Sequence, residues 1–316
     1  FCASSGHMRR ICSTSPQKRT ISPNPATITD TITAGAGKFM KTYHGPEFRL
    51  SARYAFTDNF SVKAGFNSMR QYIHKLSNTV IMSPTDTWKL SDVNIKPQRG
   101  WQAAAGLYLN SPSGIWEYSV EGYYKRMSDY LDYRGGAKLL MNHHIETDVI
   151  NTQGHAYGVE LQVKKQVGKL NGWMSYTYSR TFLRQNDKRI EKPVNNGDWY
   201  PTEYDKPHDF KFVGNYKFTH RYSMSINVDY STGRPTTIPA GQYYDESTQS
   251  MRVYYTERNS YRIPDYFRTD ISFNIEPSHH LTLLTHSSIS IGVYNVTGRK
   301  NVYSIYYMPE EGQIKG

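Results

Sequence analysis

From Pro46 onward, apolar and polar residues alternate with a period of two. Phe48, Leu50, Ala52, Tyr54 and Phe56 are interleaved with Arg49, Ser51, Arg53 and Ala55. After the polar triplet Thr57-Asp58-Asn59, Phe60, Val62, Ala64 and Phe66 alternate with Ser61, Lys63, Gly65 and Asn67. A period of two is that of a strand with two different faces, and a short polar turn between two such runs predicts a hairpin. The pattern recurs from Trp101 to Leu109 and, beyond Ser111-Pro112-Ser113-Gly114, from Trp116 to Tyr124. It recurs again at 157–163 and 174–178 around Val167-Gly168-Lys169, and at 210–218 and 222–230 around Thr219-His220-Arg221. Two last runs start near Arg268 and Ile289, the final one read as continuing to Tyr307. This predicts ten strands of about 9–14 residues, where a tilted strand needs about 9–11 to cross a bilayer.

The connections alternate in length. Turns near 57–59, 111–114, 167–169 and 219–221 are short, that at 276–286 is longer, and the gaps near 74–100, 129–152, 183–207 and 231–263 are all long. Short turns at one end and long loops at the other are the layout of an outer-membrane barrel. A soluble sandwich or propeller would have strands averaging about 5–6 residues and no such alternation of loops. Many apolar stripes also begin or end in an aromatic residue, as girdles at the two membrane interfaces require: Phe48 and Phe56, Trp101, Trp116 and Tyr124, Phe210 and Phe218, Tyr222 and Tyr230.

Composition sharpens this picture. Of 316 residues, 37% are hydrophobic and 14% aromatic, with 27 Tyr. The apolar share falls below the roughly 45–50% of soluble domains, while the aromatic content argues against disorder. No run of about 20 apolar residues offers a membrane helix. The net charge is +11, but the basic residues alternate along nearly every strand instead of forming a groove or run, so nucleic acid is not read as a partner. Cys2 and Cys12 have neither disulfide-framework nor metal-site spacing.

Five segments resemble the C-terminal part of the barrel of TonB-dependent outer-membrane receptors, particularly the Bacteroidetes-type ones. They are YHGPEFRLSARYAFTDNFSVKAGFNSMRQYIHKLSNT (43–79), AYGVELQVKKQVGKLNGWMSYTYSRTF (156–182), WYPTEYDKPHDFKFVGNYKF (199–218), NSYRIPDYFRTDISFNI (259–275) and GVYNVTGRKNVYSIYY (292–307). The resemblance spans about 40 to 316. It implies an all-β antiparallel meander supplying about ten strands of a 22-stranded barrel in the outer membrane, with lipid around the wall and a plug domain in the lumen. It further implies TonB acting through that plug, and outer loops that capture a scarce ligand such as a ferric siderophore, haem, cobalamin or a glycan. Residues 1–45, rich in Ser, Thr, Pro and Gly, are expected to be irregular, residues 46–307 to form the strands, and residues 308–316 to open the last outer loop. The plug, the TonB-contact motif and the final strand are not recognised in the sequence.

Charges on the polar faces, Arg49, Arg53, Lys63, Glu117, Glu121, Glu160, Lys211, Arg268 and Asp270, are expected to line the lumen and face the plug. Loop aromatics Trp199, Tyr200, Tyr204, Tyr243, Tyr244, Tyr254 and Tyr255 are the candidates for ligand contact, since rings give large contact area at low entropic cost. Asp205-Lys206-Pro207-His208-Asp209 looks catalytic, but no nucleophile or second base lies at useful spacing, and Pro207 suits a strand start. His143-His144 point opposite ways on an extended chain, and His279-His280 fall in a turn. No catalytic, metal or cofactor motif is found, so no enzyme activity, metal or cofactor is expected. A plug-less porin or adhesin, and a soluble β-sheet binding protein or enzyme, remain the alternatives.

Overall fold

A computed structural model describes residues 10–13, 17–18, 43–76, 87–91, 95–133, 149–186, 193–245, 250–255, 257–276, 287–303, 305, 308–310 and 313–315. Among the described residues, ten successive strands form the body of the wall: β1 (Pro46–Ala55), β2 (Phe60–Gln71), β3 (Gln98–Asn110), β4 (Trp116–Tyr133), β5 (Val149–Lys165), β6 (Leu170–Gln185), β7 (His208–Lys217), β8 (Tyr222–Ser231), β9 (Tyr266–Ile275) and β10 (Ile289–Val293). Each pairs antiparallel with the next, so chain order is sheet order. Antiparallel neighbours need only a hairpin, and the short turns are built for one. Phe56 N–H donates to Phe60 O at 3.0 Å, and Gly114 takes the left-handed conformation (φ 67°) that a turn residue without Cβ tolerates.

Alternation sorts the sheet into two faces. On one, Leu50, Phe66, Ala103, Tyr124 and Tyr157 lie side by side across β1 to β5. Phe66 stacks on Trp101 at 6.2 Å between centroids, and Trp101 meets Tyr124 at 5.6 Å. A second aromatic band lies near the short turns: Tyr54 with Phe56, Phe56 with Phe60, Trp116 with Tyr118, and Tyr216 with Phe218. Between the bands this apolar face is open, with Leu50, Leu107, Val159, Leu161, Phe273, Ile289, Ile291 and Val293 all exposed. Along β4 the bands are eight residues apart, about 26 Å of strand, or roughly the height of an outer-membrane apolar girdle once the strands tilt.

Three expectations need correction. Within the segment expected to be irregular, Arg10–Ser13 pair with Leu50–Arg53, and Gln17–Lys18 with Pro46–Glu47. The free edge of β1 offers ladder groups that any backbone can use, so this pairing leaves no side-chain period to read. The last strand stops at Val293, not Tyr307. There Asn295 turns left-handed (φ 52°), its N–H donates to Asp270 Oδ1 at 2.8 Å, and Val296 N–H donates to Thr269 O at 2.8 Å. Finally, Met308–Glu310 and Gln313–Lys315 form a small hairpin within the stretch read as loop. The expected turn at 276–286, apart from Glu276, and both His pairs lie outside the described residues.

Candidate functional site: the polar wall and the long-loop rim

The polar face holds every lumen candidate. Arg53, Lys63, Gly106, Glu121, Glu160, Thr177 and Asp209 form one row across seven strands. Two residues further toward the short turns, Lys211, Asp229 and Arg268 form the continuation of a second row. Several of these charges are paired: Lys164 with Glu117 at 3.4 Å, Lys211 with Asp209 at 3.5 Å, and Arg268 with Asp270 at 2.8 Å. Glu121 and Glu160 face each other across neighbouring strands, and the Tyr108 hydroxyl donates to Glu121 at 2.6 Å. Arg49 shares this face, opposite Asn67.

At the long-loop end, two carboxylates organise the rim, one fully buried and one half-buried. Asp205 has a side chain 0% exposed and lies where the loop re-enters β7. It accepts the Thr181 N–H at 2.7 Å, pairs with Arg180 at 3.3 Å, and binds the Arg262 guanidinium. Arg262 also donates to the carbonyls of Asp205 (2.8 Å) and Gly233 (2.9 Å), so one cation closes three strand ends. Gly233 is required there, because a Cβ would stand 1.6 Å from the Ile263 carbonyl oxygen. Nearby, Asp265 accepts from Gly233 N–H and the Tyr230 hydroxyl, bonds that hold its carboxyl below the usual range.

The second carboxylate is Asp132. It accepts the Tyr200 hydroxyl at 2.6 Å and pairs with Arg258 at 2.9 Å. Tyr200 is 1% exposed; burial first, then Asp132, push its phenol pKa up. Glu203 is raised as well, chiefly by burial, with Arg258 acting in the opposite sense. Arg258 N–H donates to Asn195 Oδ1 at 2.8 Å, Asn195 Nδ2 returns a bond to Arg258 O at 3.2 Å, and Asn259 Nδ2 reaches Pro201 O at 2.8 Å. Loop 193–207 and loop 232–265 are thereby tied to each other and to the top of β4.

The loop aromatics separate into three positions. Tyr200 belongs to this frame and presents almost no surface. Trp199, its neighbour, contacts the apolar side of the wall: its ring meets His155 edge-on at 4.4 Å and lies 5.0 Å from the Arg184 guanidinium. Tyr204, Tyr243, Tyr244, Tyr254 and Tyr255 are exposed, the last four on the hairpin Pro239–Asp245 with Ser250–Tyr255. On that hairpin the register puts Tyr243 and Tyr254 on one face and Tyr244 on the other. His208, from the catalytic-looking string, bonds the Tyr176 hydroxyl at 2.8 Å and lies 5.4 Å from the Tyr178 ring. No group of three or more His, Cys, Asp or Glu able to hold a metal exists among the described residues.

The family described as TonB dependent receptor-like, beta-barrel matches residues 24–296. The chain belongs to this family. No curated protein matches it in sequence. Among solved structures, this receptor barrel is similar to the ferripyoverdine receptor of the outer membrane of Pseudomonas aeruginosa, with 14% identity and a TM-score of 0.51 over 82% of this chain and 30% of that one. It is also similar to the ferric-catecholate import receptor Fiu from K12 E. coli, with 12% identity and a TM-score of 0.53 over 82% and 32% of the two chains. The ferric citrate transporter FecA gives 12% identity and a TM-score of 0.53 over 85% and 35%. At these identities the likeness is one of fold. The chain spans about a third of the length of these structures, or 30 to 35%.

Asp132, Asp205, Arg258 and Arg262, the residues that build the rim, are missed by sequence reasoning as a group. The available signal is weak: a charged residue beside Tyr or Pro where a long loop meets a strand.

Proposed function

We propose that this chain is wall and outer rim of an outer-membrane receptor that imports a scarce ligand, energised by TonB through a plug in the barrel lumen. The observation that carries the reading is the division of one sheet into an open apolar face edged by two aromatic bands and a polar face lined with charges. The first suits lipid and the second suits a wet lumen holding a plug. Lumen contacts would come from Arg53, Lys63, Glu117, Glu121, Glu160, Lys211, Arg268 and Asp270, together with Arg49. The sequence resemblance to Bacteroidetes-type receptors supports assigning the parent protein to that branch.

The ligand class best supported is an anionic ferric chelate. The similar structures are named for ferripyoverdine, ferric catecholate and ferric citrate, and the net charge of +11 favours an anion. Tyr204, Tyr243, Tyr244, Tyr254 and Tyr255 are proposed to make the first contacts, as exposed phenols on a frame that is already tied down. Uptake by cells expressing the full-length protein, with and without TonB, tests this on a panel of radio-iron-labelled ferric siderophores, ferric citrate and haem, and radio-cobalt-labelled cobalamin. TonB-dependent accumulation of a ferric chelate is expected. Uptake that persists without TonB would instead support a passive porin.

A further inference from the structure

The apolar face does not end at its upper aromatic band. In the row that holds Tyr124 and Tyr157, the next strand contributes Arg180. One row nearer the long loops, Trp101, Arg126, His155 and Phe182 lie side by side on β3 to β6. One row further, β6 contributes Arg184, with Trp199 packed over it. Arg126, Arg180, Arg184 and His155 therefore stand on the apolar side of the wall, at and just above the aromatic level, where β2 and β3 also contribute Arg70 and Arg99, the latter paired with Asp129.

Charge on this face should be costly unless it meets an anion. Arg at the bilayer midplane of such a barrel costs about 2–4 kcal/mol, a cost that falls to about 0–1 near the interface. These arginines sit two to four residues around the interfacial aromatics, which is headgroup depth. Arg180 is partly neutralised by Asp205. Among the described residues neither Arg126 nor Arg184 has an acidic partner. Arg184 is instead held against the Trp199 ring, and Arg126 stands opposite Trp101 and His155. The forked guanidinium matches phosphate geometry, and an indole beside it is the ordinary membrane-interface residue.

We propose that Arg126, His155, Arg180 and Arg184, with Trp199, form a binding site for a phosphorylated lipid headgroup of the outer leaflet, on the outside of the barrel wall. The acyl chains would lie down the exposed aromatic and aliphatic face below, while the phosphates would sit between Arg126 and Arg184. The site assigns Trp199 to the lipid side of the rim, apart from the tyrosines proposed to meet the imported ligand. It rests on the membrane reading given above.

Native mass spectrometry of the full-length protein in mild detergent, with diphosphoryl lipid A as probe, tests the site. Wild type should retain bound lipid. Arg126→Gln with Arg184→Gln should weaken binding about thirtyfold, on the basis of roughly 1 kcal/mol for each basic group at an anionic surface. Arg126→Lys with Arg184→Lys should recover most of the loss, which separates charge from folding. Lys169→Gln with Arg221→Gln, an equal charge change at the short turns, should leave binding unchanged. Undiminished binding by the Gln pair, equal loss in the short-turn pair, or full binding of lipid stripped of its phosphates would each overturn the site. Displacement by inorganic pyrophosphate at the lipid's own concentration would overturn the lipid assignment. Assembly of Ile226→Arg reports the membrane reading separately, so a correct register with no lipid binding refutes this site alone.

Discussion

Asp205→Asn is nearly isosteric, so it removes charge and leaves shape. The carboxylate is 0% exposed and receives the Thr181 N–H at 2.7 Å, Arg180 at 3.3 Å and the Arg262 guanidinium. An amide offers one oxygen to these donors and turns its own N–H toward a cation. Removing one partner of a buried ion pair costs about 3–5 kcal/mol. The cost should be lower here, because the Arg180 and Arg262 side chains are 26% and 30% exposed and can rehydrate in part. About 2–3 kcal/mol remains as a working value, drawn from charge-assisted bonds worth about 1.5–3 kcal/mol each. In amide hydrogen exchange, that loss should speed opening of residues 200–207 and 232–236 by about 30- to 160-fold, with β7 and β8 unaffected away from their rim ends. Asp209→Asn is the control, since Asp209 meets only Lys211 at 3.5 Å in a partly exposed pair, worth at most about 1 kcal/mol. Unchanged exchange in Asp205→Asn, or equal acceleration in Asp209→Asn, would refute the clamp.

Other substitutions address separate parts of the argument. Ile226→Arg should impair barrel assembly, at about 2–4 kcal/mol, and Asn227→Arg should not; heat-modifiable migration of the full-length protein reads both, and equal tolerance would refute the register. Gly233→Ala should displace the 233–235 segment, because its Cβ would meet the Ile263 carbonyl oxygen at 1.6 Å, and limited proteolysis should then cut loop 232–265 faster. Burial raises the Glu203 pKa, so its ionised form opposes the closed rim at neutral pH, and stability should increase as pH falls through that raised value. Glu203→Gln should therefore slow rim exchange at pH 7 and remove this pH dependence. Asp265 has the opposite sign: its depressed pKa supports the rim above the unfolded carboxylate value, and that support is lost as pH drops through the folded one.

The wall was legible because its rule is local. Period two, repeated from Phe48 to Val293, states which residues share a face, and the short polar turns state which strands are neighbours. All nine lumen candidates fall on the polar face for that reason. The rim was not legible because its rule is interrupted. Straight alternation from Glu117, Glu121 and Lys125 puts Asp132 on the apolar side. A bulge between Met127 and Tyr130, with Asp129 at φ 55°, inserts a residue and returns Tyr130 and Asp132 to the polar side, where Asp132 meets Tyr200. Trp199 and Tyr200 look equivalent as adjacent loop aromatics, yet one step along an extended chain sends them to opposite faces. Asp205 carried no pattern, since its partners Arg180 and Arg262 lie 25 and 57 residues away in sequence.

The inequality between the two ends of the strands also bears on how such a protein can change over time. At the short-turn end, one inserted residue would shift the register of both flanking strands and turn every apolar side chain of one of them to the wrong face. At the opposite end, extra length costs about 0.6 kcal/mol for each doubling of a loop, provided that Asp132 and Asp205 still anchor where the loop meets the wall. Lineages descended from one ancestral barrel can therefore replace their outer loops wholesale while keeping the strands in step. Two such proteins would then share architecture long after their sequences had ceased to match.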